Sequence, residues 1–165
     1  MTLAFSQAIN GKLTHFPEKI LNGLVNNELI KVSEYRDLQI QYVKKAISTN
    51  WIFANKIHTI RRDEKNKWKV GNKIHFVIYN RTPQRYQFAP IVPCMSVQAI
   101  KIKYCYNRNT KAFDTPIVMI GDKQLSINEE TQLAINDGFQ SSEAFFNYFD
   151  KDFTGKIIHW TDKQY

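Results

Sequence analysis

Acidic residues are almost missing from the middle of this chain. Residues 56–111 contain 13 Lys and Arg but only two acids, Asp63 and Glu64. Residues 1–55 hold 6 basic and 4 acidic groups, residues 112–165 hold 4 and 9, and the formal net charge is +8. A cationic block of this kind is the electrostatic footprint of a polyanionic partner, nucleic acid first among them; a solvated basic surface with no partner has the same composition. Cysteine is scarce as well. Cys94 and Cys105 are the only two; without CxxC spacing they make no disulfide framework, and both are expected to be reduced, ordinary residues.

Other absences narrow the field. No apolar run approaches the ~20 residues of a membrane helix. The opening, MTLAFSQAINGK, lacks the basic start and apolar stretch of a signal peptide. Together these point to the cytosol. The cationic block contains no amphipathic basic helix, which argues against a membrane surface. There is no Gly-rich phosphate loop, no internal repeat, no low-complexity run and no linker. His58 and His75 fall on separate strands without ligand spacing, while His15 and His159 stand alone, so neither a metal nor another cofactor is expected. The stretch DKDFTG, Asp150 to Gly155, starts like a calcium loop but lacks the later ligands.

What remains is an ordinary globular composition, 165 residues with 43% hydrophobic and 13% aromatic side chains, enough for one domain, residues 1–165, with a real core. Leu3–Ser6 predicts a short opening strand. Pro17 suits a helix's first turn, and Ile20, Leu21, Leu24 and Val25 follow at helical spacing. Ser33 is placed to cap a second helix carrying Tyr35, Leu38, Tyr42 and Ala46 on one face and closed by Asn50. From Lys56 the period becomes two. KWKVG (67–71) predicts a turn into a strand over 73–79. A Pro-containing loop follows, then a strand over 97–106, a turn over 107–111, a strand over 116–120 and a hairpin turn at GDKQ. Ser126 and Glu129 have capping-box spacing, and Gly138 suits the helix's C-terminal cap. Ser141 or Ser142 caps a last helix with Phe145, Phe146 and Phe149 on its apolar stripe, and residues 156–160 close the chain as a strand. The order predicts an α+β fold, a small curved sheet or barrel with helices against it.

One stretch does not read as core. KIHTIRRD, residues 56–63, alternates like a strand, yet it places a hydroxyl among basic and titratable groups where a core strand would keep an apolar face. Three segments in order, NKIHTIRRD, WKVGNKIHF and NDGFQSSEAFFNYF, resemble the ASCH domain, a relative of the PUA fold. The shared motifs are a Lys-x-x-Thr-x-Arg strand (Lys56, Thr59, Arg61), a Trp-x-x-Gly turn (Trp68, Gly71) and a late Gly-Phe pair (Gly138, Phe139). The resemblance covers roughly residues 52–160, with residues 10–50 as an N-terminal helical elaboration. It implies a PUA-like pseudo-barrel whose cleft binds RNA or modified nucleobases. It also implies a possible activity, because one small bacterial ASCH protein is an amidohydrolase of N-acetylated cytidine that uses a lysine base, a threonine nucleophile and a glutamate proton donor. By motif the first two correspond to Lys56 and Thr59. The third falls at Asp137, one methylene shorter than the family's glutamate.

The chemistry can be argued without the family. A threonine hydroxyl needs an adjacent base to act as a nucleophile, and a lysine serves only when burial or neighbouring cations such as Arg61 and Arg62 lower its pKa. A leaving amide nitrogen needs a proton, which is work for a carboxylic acid. Asp137 sits at a predicted helix C-terminus, where the helix dipole disfavours an anion; a functional role explains that placement, and so does capping the next helix or plain exposure. Lys56 and Thr59 equally suit binding a phosphate without chemistry. A binding cleft uses the same strand differently. Arg61 and Arg62 suit phosphates or base edges. Arg81 and Arg85 alternate with Tyr79, Tyr86 and Phe88, and aromatic faces beside guanidinium groups hold single-stranded bases; Phe88 and Tyr79 also suit the core. Trp68, between two lysines, either stacks on a base or packs on the barrel. The expectations are therefore an RNA- or nucleobase-binding protein, a hydrolase of acylated pyrimidine nucleosides, or an interaction module for an acidic protein.

Overall fold

The structure, a computed structural model, describes residues 1–43, 54–107, 112–113 and 116–165. The elements run β1 (Thr2–Ala4), β2 (Ala8–Ile9), β3 (Lys12–Leu13), α1 (Phe16–Asn26), α2 (Val32–Val43), β4 (His58–Arg61), β5 (Lys73–Ile78), β6 (Tyr86–Gln87), β7 (Val92–Pro93) and β8 (Ser96–Lys103). They continue with β9 (Tyr106–Asn107), β10 (Ala112–Phe113), β11 (Ile117–Ile120), β12 (Lys123–Gln124), α3 (Ile127–Asn136), α4 (Ser142–Tyr148) and β13 (Phe153–His159). In the first sheet β5 pairs with β1 in parallel and with β6 and β7 antiparallel. The second is antiparallel, in the order β12-β11-β8-β13-β4. Among the described residues neither sheet closes into a barrel. The architecture is α+β.

The register of β13 explains the layering. Ile157 pairs with Ile60 and Ile158 with Thr59. Because successive strand residues face opposite sides, Ile157 and Ile60 join Ile100, Ile102, Leu133 of α3 and Phe145 of α4 in one core. Ile158 and Trp160 join Phe76 of β5, Phe5 and the Ile20, Leu21 and Leu24 stripe of α1 in the other. The second sheet is thus buried on both faces at the end of β13, where Ile157, Ile158 and His159 are all fully buried.

Local signals act much as their chemistry dictates. Pro17 stands in the first turn of α1. Ser126 Oγ accepts from the Glu129 N–H while the Glu129 carboxylate accepts from the Ser126 N–H, the reciprocal cap of α3. Ser141 caps α4. Gly71, at φ +83°, turns the chain into β5, and its N–H reaches the Cys94 carbonyl. The β11–β12 hairpin turns at Gly121. Several boundaries differ from expectation: β1 ends at Ala4, β4 starts only at His58, β13 starts at Phe153, and the expected loop holds β6 and β7. Two further differences have a visible local cause. Helix α2 starts at Val32, before Ser33, because the Tyr35 N–H already bonds the Lys31 carbonyl. Strand β8 stops at Lys103, because the Asp152 carboxylate takes the Tyr104 N–H (2.8 Å) and the Lys103 ammonium (2.7 Å). Ala46, Asn50 and residues 108–111 of the turn predicted over 107–111 lie outside the described residues, and Asn107 ends β9. No helix among the described residues is long and apolar enough to cross a membrane.

Candidate functional site

The residues just before β4 are stitched between two helices. The Lys56 N–H donates to the Lys19 carbonyl of α1 (2.9 Å), and the Ile57 N–H donates to the Asn136 carbonyl at the end of α3 (3.0 Å). Two glycines allow this approach. A Cβ on Gly23 would stand 2.4 Å from the Lys56 carbonyl oxygen, and a Cβ on Gly138 would meet Lys56 Cδ and the Phe16 ring at 3.0 Å. Gly138 also has φ +89°, which costs other residues a left-handed strain. The stem of Lys56 therefore lies over Gly138, and its ammonium donates to the Asp137 carbonyl and to Asp137 Oδ1 (2.5 Å). Lys19 Nζ donates to the Gly138 carbonyl (2.6 Å).

These contacts resolve the anion at the end of α3. The last carbonyls of a helix carry partial negative charge and have no partner within the helix. Here Ile57, Lys56 and Lys19 satisfy the carbonyls of Asn136, Asp137 and Gly138 in turn. Two buried ammonium groups outweigh the dipole. Asp137 is 4% exposed, so it is neither a surface acid nor the cap of α4, a role that Ser141 fills.

Burial lowers the Lys56 pKa to about 8; Asp137 opposes this, and Arg61 and Lys19 add to it. Burial alone would raise the Asp137 pKa, but the Lys56 charge and then His58 override it and hold the carboxyl below its ordinary range. His58 extends the network on the far side. Tyr165 Oη accepts from Asn136 Nδ2 (2.8 Å) and sits 2.8 Å from His58 Nε2. With its one proton given to Nε2, the imidazole carries its own on Nδ1, which faces Asp137 Oδ1 at 3.7 Å. Burial keeps His58 neutral by lowering its pKa. His159, its cross-strand neighbour, is also held neutral, with a pKa lowered to about 3 by burial and by His58.

Lys56, Thr59, Arg61 and Asp137 line one small cavity of about 40 Å³, walled by Phe16 and Tyr148. The Thr59 hydroxyl has no hydrogen-bond partner among the described residues. Through Ile9, Phe16 and Phe139 the cavity adjoins a chamber of about 230 Å³ between the β2–β3 hairpin, the start of α1 and the α3–α4 turn.

The remaining sequence candidates are dispersed. Arg61 is half-buried, donates to the Ala4 carbonyl (2.8 Å) and lies over the Phe5 ring. Arg62 is exposed and packs on Phe153, on the side of the other core. Trp68 is 7% exposed inside the first core, so its face is spent on packing and not on a base. Arg81 and Arg85 are exposed and Tyr86 is half-buried in β6. Tyr79, at the start of their loop, donates from its Oη to Gln7 (2.9 Å), whose neighbour Ser6 lines the cavity, but no residue of the loop lines it. Lys67 and Lys69 precede the opposite end of β5, so the basic middle third is not one continuous patch. Sequence inspection missed Lys19, His58 and His159 as members of the site. The only sequence signal for His58 was its position between Lys56 and Thr59. No group of three His, Cys, Asp or Glu side chains among the described residues is placed to hold a metal. Comparison with family models, curated proteins and solved structures gives no match.

Proposed function

We propose that the chain is an ASCH/PUA-like amidohydrolase of acylated pyrimidine nucleosides. The observation that carries this reading is the convergence of Thr59, Lys56 and Asp137, the last two 81 positions apart in sequence, on one cavity that adjoins a larger chamber. A neutral Lys56 amine keeps two N–H groups for Asp137 and frees a lone pair for the threonine proton. Thr59 Oγ then attacks the acyl carbon, the C–N bond breaks, and an acyl ester forms on Thr59. The nitrogen of the departing base takes the proton that Lys56 received. Water hydrolyses the ester and restores the hydroxyl. In this scheme Asp137, held ionised, orients Lys56, and the acid role expected from its sequence position passes to the lysine.

The test is chromatographic. Wild type, Thr59→Ser and Thr59→Ala are incubated with N-acetylated cytidine. Turnover by the first two and a loss of at least a hundredfold in Thr59→Ala supports the reading; no turnover by folded wild type removes it.

A second reading is binding of RNA or another nucleobase-containing ligand without chemistry. It is favoured by the exposed Arg81 and Arg85 beside Tyr86, in a loop whose first residue, Tyr79, bonds Gln7. Titration with single-stranded RNA at two salt concentrations tests it; affinity that falls with salt and weakens in Arg81→Ala/Arg85→Ala is the expected result.

A further inference from the structure

The two adjoining spaces are lined by four cations, Lys12, Lys19, Lys56 and Arg61, and by a single carboxylate, Asp137. Asp137 is consumed by Lys56. Lys19 is 7% exposed and has no carboxylate partner within ion-pair distance among the described residues. Its sequence neighbour Glu18 turns instead toward His15 (3.5 Å). Lys19 spends one N–H on the Gly138 carbonyl, leaving two donors of a buried cation at the wall of the 230 Å³ chamber. A buried charge with no ion pair of its own, only the Coulombic pull of Glu18 and one carbonyl, is costly, and a bound anion relieves it. The rest of the lining, Asn10, Thr14, Gln140 and Asn147, supplies neutral hydrogen-bonding groups and no acid.

We infer that the larger chamber takes the phosphate monoester end of the ligand, so that a nucleotide is the preferred substrate over the free nucleoside. This rests on the hydrolase reading for the position of the base, but the anion site stands on Lys19 and Lys12 alone. The phosphate oxygens would accept the two remaining Lys19 N–H groups, and the exposed Lys12 on β3 would close over them.

Calorimetry with cytidine, cytidine 5′-monophosphate and inorganic phosphate tests the inference without requiring turnover. Wild type is expected to bind the monophosphate at least tenfold more tightly than cytidine, with inorganic phosphate competing. Lys12→Glu, an exposed substitution that leaves the core intact, is expected to abolish the preference, and Lys19→Met, which keeps the apolar stem, to do the same. Equal binding of the two ligands, no binding of either, or a preference that survives both substitutions overturns it. Assays of N-acetylated cytidine with and without the 5′-phosphate separate the two claims. Equal turnover sinks the anion site and leaves the hydrolase standing. Lys19-dependent binding without turnover does the reverse.

Discussion

The Lys56 ammonium lies 2.5 Å from the Asp137 carboxylate, and neither side chain reaches solvent to any useful extent. Breaking such a pair from one side strands a buried charge. Lys56→Met is therefore expected to lose about 3–5 kcal/mol in urea unfolding. Adding Asp137→Asn should recover a large part of that loss, since the stranded carboxylate is gone. A Lys56→Met protein as stable as wild type would show that the pair contributes nothing to the fold.

The glycines around Lys56 make separate claims. Gly71 and Gly138 both have positive φ, but a Cβ on Gly71 meets open space while one on Gly138 meets Lys56 and Phe16. Gly71→Ala should cost only the backbone strain, roughly 1–2 kcal/mol. Gly138→Ala should cost more and also displace the lysine. Gly23→Ala should be the most damaging, because the atom it meets is a backbone carbonyl that cannot swing away. Thermal unfolding of the three variants ranks them, and any other order counts against this account of how Lys56 is held.

Alkaline titration isolates Lys56. An unfolded lysine keeps its proton to about 10.4, while Lys56 in the fold releases its own at about 8. Between these values the unfolded chain binds more protons, so this residue's contribution to stability improves as pH rises through the window. Below about 8 both states are protonated and the contribution is constant. Wild type should gain on Lys56→Met between pH 8 and 10 in urea midpoints corrected for slope. A constant difference would mean that the fold does not lower this pKa. If the hydrolase reading holds, kcat/KM rises with pH up to about 8, as the free amine forms, and levels off above it.

Acid acts on the histidine pair. The His159 pKa falls from an unfolded value near 6.5 to about 3. As pH drops through that window the unfolded chain takes a proton that the folded chain refuses, and stability declines by up to about 1.4 kcal/mol per pH unit for this group. His159→Phe should flatten that part of the profile, followed by circular dichroism between pH 7 and 4. An unchanged slope in the variant would place the acid sensitivity elsewhere.

Much of the scaffold was legible because its signals are local. The Ser126–Glu129 cap, Pro17 at the start of α1 and the glycine turns at Gly71 and Gly121 act within a few residues of themselves. The alternation of Ile100 and Ile102 with Lys101 and Lys103 foretold a strand with one buried side, and the structure buries the isoleucines completely. Trp68 shows the limit. Flanking lysines describe its neighbours in sequence, whereas its burial depends on β5 and β7 closing over it.

By itself the sequence determined the α+β composition, the order of the four described helices and the longer strands, and the suspicion attached to Lys56, Thr59 and Asp137. Those follow from period, capping chemistry and residue type, all short-range properties. Tertiary structure decided that Asp137 meets Lys56, that Lys19 shares the same helix end and that His58 and His159 stand side by side. These are encounters between groups remote along the chain. Their consequence is electrostatic: a charge changes its proton affinity only when burial and a specific neighbour act on it together, and both are created when the distant segments pack.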